Sequence, residues 1–317
     1  MSANEITSRP SSGANGTPRI AILGTGKMGS AIAGRLAESG FELTLWNRTR
    51  ARAEALGIGT VADTPAAAVR DADVVISNVT GPEAVRSTYL GSDGAVSEGA
   101  GKLFIEMSTA GPDLLPSLAA EVATASGRMV DAPILGAPPA MRAGQAAILI
   151  GGDDDDVGRA DPILTTLGTV RHVGPLGNGA RLKLVANSML ADIILAAAEL
   201  QVAGEDAGLQ PDDVFWVLDR MAPLLGARRN GIVEDQHEPT LFALRDLRKD
   251  LDLAAGLFEP SEVRTPMTAE ARQLVAAAAN LYGDLDITAV ERPYRQVDRR
   301  DKGNTRRAAS LASGSAH

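Results

Sequence analysis

The chain contains no cysteine. That single absence excludes disulfides, thiolate metal sites and a cysteine nucleophile together. Aromatic residues make up only 3% of the 317 positions, so alanine, valine, leucine and isoleucine must pack the core. Histidine is nearly absent too: His172, His237 and His317 stand at spacings that match no metal-ligand motif. No metal is expected, and each histidine reads as structural or solvated. Positive charge is in deficit, with a formal net charge of −9 at pH 7, which argues against broad contact with nucleic acid or an anionic membrane. An uninterrupted apolar run of bilayer length is also missing, because Asp192 breaks the best candidate. The opening MSANEITSRPSSGANGT is polar and lacks the apolar centre of a signal peptide. A flexible tail over residues 1–17 and a cytoplasmic location are therefore expected.

What is present is an ordinary globular share of hydrophobic residues, 44%, enough for a sizeable core. From Arg19 to Val173 short apolar runs (RIAIL, FELTLW, DVVISNV, KLFIEM, RMVDAPIL, AAILIGG) alternate with helical patterns. Strands separated by helices imply βαβ units and a mostly parallel, doubly wound sheet over residues 18–177. After VGPLGNG the pattern changes. A long helix is expected from Ala180 to about Asp206, with Leu182, Val185, Ala186, Met189, Leu190, Ile193, Ile194 and Ala197 on one stripe. That stripe reads as core or as a subunit interface. It opens an all-helical domain over 178–290, and the charged, then small and polar stretch 291–317 reads as a disordered tail.

The turn Gly24-Thr25-Gly26-Lys27-Met28-Gly29 follows an apolar strand and opens a helix. In that context Gly24 permits the bend, Gly26 lets a pyrophosphate approach the backbone, and Gly29 allows close helix–strand packing. The amides of the turn, including those of Lys27 and Met28, then form an anion site at a helix start. Taken alone, the same spacing fits a bare turn. The next strand ends in Asn47-Arg48-Thr49, where NAD-binding folds usually carry an acid for the ribose 2′-hydroxyl. Arg48 pairs with a 2′-phosphate and Thr49 donates to it, so NADP(H) is favoured over NAD(H).

Two further segments suggest chemistry. In DAPILGAPPAMRAGQ the amides of Gly136 and Ala137 stand past a strand end, where a substrate carboxylate would bind, although a plain connecting loop explains them equally well. Lys183 and Asn187 lie four apart and share a helix face, although a solvated lysine fits the same spacing. The acidic run Asp153 to Asp156 reads as a helix start complementing its dipole, and Arg228-Arg229 as a solvated loop.

GTGKMG, NRT, DAPILG…AGQ, GNGARLKLVAN, LRKDLDLA and GDLDITAV, in this order, resemble the β-hydroxyacid dehydrogenase family from about Arg19 to Val290. The resemblance implies a Rossmann domain, a long interdomain helix and a helical second domain. It also implies hydride transfer between a nicotinamide and a small carbonyl or hydroxy compound, in a homodimer or homotetramer. It makes Lys183 the general acid/base and Asn187 its helical partner. Ser108 is implied to lie near substrate, Thr109 near the nicotinamide ribose, and Asn78, Val79 and Lys249 near the cofactor. One departure stands out: the family's Ser-Gly-Gly is Leu135-Gly136-Ala137 here, followed by two prolines. Losing that hydroxyl opens the way to a bulkier or less acidic carbonyl compound. It also keeps an imine reductase in view, while a catalytically silent dinucleotide-binding scaffold is the alternative of another class. Authentic 6-phosphogluconate dehydrogenases carry a much larger helical domain.

Overall fold

The structure, a computed structural model, describes residues 16–260 and 264–295. The chain forms two compact units, Met1–Leu184 and Val185–His317. The first begins with β1 (Ile20–Leu23), α1 (Lys27–Glu38), β2 (Leu43–Trp46), α2 (Arg50–Glu54) and β3 (Thr60–Val61). It continues through α3 (Pro65–Val69), β4 (Val74–Ser77), α4 (Pro82–Leu90), β5 (Leu103–Glu106), α5 (Leu115–Thr124) and β6 (Arg128–Asp131). These strands form a parallel six-stranded sheet in the order β3-β2-β1-β4-β5-β6. Both faces are covered. One carries Ile20, Ile22, Ile76, Ile105 and Val130, the other Ala21, Leu23, Val75, Phe104 and Met129. Burial on both sides explains why the strands read as continuous apolar runs rather than alternating ones.

The segment RMVDAPIL, expected as one strand, divides. β6 closes the large sheet, and β7 (Ile134–Leu135) starts a second, three-stranded sheet. There β7 runs antiparallel to β8 (Ala146–Ile150), and β8 parallel to β9 (Gly168–His172). The short α6 (Pro138–Arg142) and then α7 (Asp154–Leu164) fill the connections. Asp153 to Asp156 do open α7, but Asp156 is buried and accepts from Arg128 Nε at 2.8 Å.

The long helix is α8 (Asn178–Asp206). Its start belongs with the sheet unit, which runs through Leu184. The cause is local: Asp131, at the end of β6, accepts from Gly177 N–H at 2.6 Å and Ala180 N–H at 2.7 Å. A buried carboxylate thus satisfies donors at the helix start that have no partner within the helix. The expected apolar stripe is split: its C-terminal part, Leu190, Ile193, Ile194 and Ala197, packs into or against the core, whereas its N-terminal part does not. Leu184, Asn187, Ser188, Ala191, Ile194, Leu195, Ala198 and Gln201 are buried, while Leu182, Val185 and Met189 are exposed. The helix is apolar nearly all round, so spacing alone does not choose a side. By length and composition α8 passes as a membrane span despite Asp192, with a mean hydropathy of 1.4 over its most apolar window. Its buried residues, however, pack into a protein core.

The second unit continues with α9 (Pro211–Met221), α10 (Arg229–Glu234), α11 (Leu244–Phe258) and α12 (Pro266–Tyr282). Its core joins Ala191, Ile194 and Ala198 of α8 to Leu244, Leu247 and Leu251 of α11 and to Val275 and Ala278 of α12. Residues 291–295, expected to belong to a tail, are folded. Glu291 is fully buried, and Arg295 binds Glu205 and the Ile232 carbonyl. The remainder of both expected tails, 1–15 and 296–317, lies outside the described residues.

Candidate functional site

In the sheet unit the site is assembled from strand ends. The chain leaves β1 through Gly24, whose φ of +102° is disfavoured for any side chain. An added Cβ at Gly24 would overlap the Asn78 carbonyl and lie 2.8 Å from Val79. At Gly29 it would overlap the Gly24 carbonyl. These two glycines are therefore required by close packing between the turn, α1 and the loop after β4. Gly26 differs: it caps α1 in an extended conformation, and a Cβ there would meet nothing within 4 Å. Gly26 and Lys27 are exposed and Met28 half-buried. The open space over Gly26, at the start of a twelve-residue helix, is a cradle for a diphosphate. The Thr25 hydroxyl beside it is buried without a hydrogen-bond partner. The residues present fit a dinucleotide.

The end of β2 sorts its three residues. Asn47 braces the turn, accepting from Thr25 N–H at 3.0 Å and donating to the Thr49 carbonyl at 2.9 Å. Arg48 and Thr49 are exposed. Arg50, two residues on, is held by Glu54 and Asp63, so Arg48 is the cation presented at this strand end. On the other side of β1, Asn78 Nδ2 donates to the Met107 carbonyl at 3.1 Å. Val79 N–H donates to Ser108 Oγ at 2.9 Å. Ser108 is buried, and its N–H donates to Glu106 at 2.6 Å; Thr109 is half-buried. The loop Gly136-Ala137 leads into α6, where Pro138 and Pro139 occupy the first two helical positions. Neither has an N–H, so few amides remain there to grip a carboxylate.

Lys183 is half-buried on α8, with Asn187 one turn further along the same helix. In the helical unit Asn187 Nδ2 donates to Asp250 Oδ2, and Lys249 Nζ to Asp250 Oδ1, each at 2.5 Å. Asp250, buried to 2% exposure, joins these two side chains and was not singled out by the sequence reading. Its signal was available. Leu244, Leu247, Asp250, Leu251 and Ala254 form the buried stripe of α11, and an acid in that stripe calls for a partner.

Other charged groups also settle differently from expectation. Arg228 is nearly buried 3.7 Å from Asp286, and burial lowers its pKa. Arg229 binds Asp212 and Glu234. Arg228 ends a 3-10 turn and Arg229 opens α10, so the pair is anchored in helical structure rather than in a solvated loop. Asp235, His237 and Glu291 converge closely enough to suggest a cation. Yet Arg292 lies 2.8 Å from Asp235 and Arg295 3.2 Å from Glu291, so guanidinium groups already balance both acids.

Residues 19–174 match the NAD-binding domain of 6-phosphogluconate dehydrogenase, and 177–294 the NAD-binding domain of NADP-dependent 3-hydroxyisobutyrate dehydrogenase. Glyoxylate/succinic semialdehyde reductase 1 of Arabidopsis thaliana is 29% identical over 86% of this chain and 96% of its own length. Mycobacterium tuberculosis 3-hydroxyisobutyrate dehydrogenase, solved with L-serine, is 26% identical with a TM-score of 0.77, covering 88% of this chain and 99% of that one. A reductive aminase from Aspergillus terreus shares the fold at 23% identity and a TM-score of 0.58, over 87% of this chain and 99% of its own. The chain belongs to the β-hydroxyacid dehydrogenase family of NAD(P)-dependent oxidoreductases.

Proposed function

We propose that the protein is an NADP(H)-dependent reductase of a small carbonyl compound, of the aldehyde-acid or β-hydroxyacid type, with Lys183 as its general acid/base. The observation that carries the reading is the glycine turn: Gly24 and Gly29 are tightly packed, Gly26 is open, and Arg48 stands exposed at the next strand end. Amides at the start of α1 bind the diphosphate, while Arg48 and Thr49 hold the 2′-phosphate through charge-assisted hydrogen bonds. When bound, the nicotinamide supplies the hydride. Lys183 stabilises the negative charge developing on the carbonyl oxygen and donates the proton; in the reverse direction its amine removes it. Such general acid help is worth on the order of 10²–10⁴ in rate.

Asn187 orients the substrate. Its amide is fixed by Asp250, which leaves Oδ1 as the acceptor end, and Lys249 balances the Asp250 charge. The amides of Gly136 and Ala137 hold the polar end of the substrate, with less grip on a carboxylate than a serine would give. Exposed Leu182, Val185 and Met189 on α8 supply apolar surface for a homodimer or homotetramer, and a cytoplasmic location is proposed. Reduced-nicotinamide consumption with NADPH and NADH, against a panel of aldehyde acids and cyclic imines, tests the reading. Turnover of aldehyde acids with NADPH supports it. Turnover of imines alone reassigns the reaction, and tight NADPH binding with no turnover marks a silent scaffold.

A further inference from the structure

The carboxyl edge of the large sheet carries a buried polar row that cofactor binding leaves unexplained. Ser77 ends β4, Glu106 ends β5 and Asp131 ends β6, and the register pairs Ser77 with Glu106 and Glu106 with Asp131. Glu106 is 1% exposed. One of its oxygens accepts from the Ser77 hydroxyl, whose oxygen lies 2.9 Å from the buried Tyr89 hydroxyl of α4. The other accepts from Ser108 N–H at 2.6 Å, and Ser108 Oγ in turn accepts from Val79 N–H at 2.9 Å. One carboxylate is thereby tied to the loop after β4 and to the loop after β5. Burial pushes the Glu106 carboxyl up, and hydrogen bonds from Ser108 and Ser77 oppose that rise.

A carboxylate in an otherwise apolar strand is costly unless its donors are all in place. A leucine would pack the core against Phe104 and Tyr89 with no such requirement. What the carboxylate adds is a fixed spacing between two loops. Their place in the fold gives that spacing a use. With strand order β3-β2-β1-β4-β5-β6, a dinucleotide lies across the carboxyl edge where the order reverses, at β1 and β4. Its diphosphate falls over the turn after β1, and its 2′-phosphate end falls toward Arg48 after β2. The other end must then lie over the loops after β4 and β5.

We propose that Glu106 is a positioning residue for the nicotinamide end of the bound dinucleotide, acting through the Val79 and Ser108 loops it clamps; the role rests on the dinucleotide reading above. The test is Glu106→Gln, which removes the charge from both ties: one carbonyl oxygen is left to accept from Ser108 N–H, and the NH₂ must donate to Ser77 Oγ, whose hydrogen then turns to Tyr89. Affinities are measured for NADPH and for adenosine 2′,5′-bisphosphate, which lacks the nicotinamide end, together with Tm and amide exchange over residues 77–80 and 107–110. The expected result is about a tenfold loss of NADPH affinity, the bisphosphate held within about twofold, and faster exchange in both loops. If Glu106→Gln does not fold, Ser77→Ala keeps the tie to Ser108. It should give a smaller loss of about threefold in the same direction.

Unchanged affinities, equal weakening of both ligands, or a lower Tm alone would overturn the role. A wild-type chain that binds neither nucleotide overturns the dinucleotide reading and this role with it. Binding of both ligands alike by wild type and variant overturns the role alone.

Discussion

The two units place their polar groups by different means. In the sheet unit, the residues assigned to the nucleotide stand past strand ends or in the first turn of the helix that follows, and several act through backbone: the amides of the glycine turn, Val79 and Ser108. In the helical unit the polar groups are side chains set into buried stripes, Asn187 on α8 and Asp250 on α11. Parallel strands aligned in register bring their ends together, so a binding edge arises from short motifs. Helices have no such edge. A polar site there must replace core residues at positions far apart in sequence, and 63 residues separate Asn187 from Asp250. The comparison predicts that damage at the sheet edge falls on nucleotide affinity and damage to the helical side chains on turnover.

The largest effect is expected from Lys183→Ala. Its kcat should fall on the order of 10²–10⁴, while NADPH affinity from titration calorimetry stays near wild type; a parallel loss of affinity would erase the distinction. Arg48→Ala is the mirror image. NADPH affinity should drop by about tenfold or more from the lost charge-assisted bonds to the 2′-phosphate, with NADH affinity and kcat unchanged. Equal effects on the two nucleotides would remove Arg48 from that contact. Asp250→Asn leaves one neutral acceptor for the two donors of Asn187 and Lys249, and should lower kcat by about tenfold with little change in NADPH affinity.

The smallest effect concerns stability alone. Burial raises the Glu291 carboxyl to about 7. Its contribution to stability is therefore complete below the ordinary carboxylate range and is lost as pH rises through about 7. Glu291→Gln should flatten the fall in Tm between mildly acidic and mildly alkaline pH, a difference on the order of a few degrees. Kinetics at fixed pH should not change. An identical Tm–pH profile in wild type and variant would contradict the buried-acid account.

Much of the sheet unit was legible because its signals are contiguous. RIAIL before GTGKMG gives strand, turn and helix in a single reading, and NRT reports the charge at the next strand end. The split of RMVDAPIL was hidden, since Pro133 breaks a run whose apolar residues serve two sheets. On α8 three residues of the expected stripe, Leu182, Val185 and Met189, are exposed, while two others, Ile194 and Ala197, are buried. Apolar side chains occupy most faces of that helix, so only tertiary packing selects one. Lys183, Asn187 and Lys249 came from resemblance, whereas Asp250 and Glu106 had local signals that went unread. Each is an acid inside an apolar pattern, and one of its partners lies far off in sequence, Asn187 for Asp250 and Ser77 for Glu106. Residues 291–295 looked like the start of a polar tail because Arg295 pairs with Glu291 and with Glu205 only in the folded state.

The central claim is that the open turn over Gly26 cradles a diphosphate, and Gly26→Ala tests it most directly. A Cβ there meets nothing within 4 Å and the backbone is extended, so the folded protein should tolerate it and Tm should not move. Titration of wild type and variant with NADPH should show binding by the first and at least about a tenfold weaker affinity in the second. Equal affinity in the two proteins, or no binding by the wild type, would contradict the account.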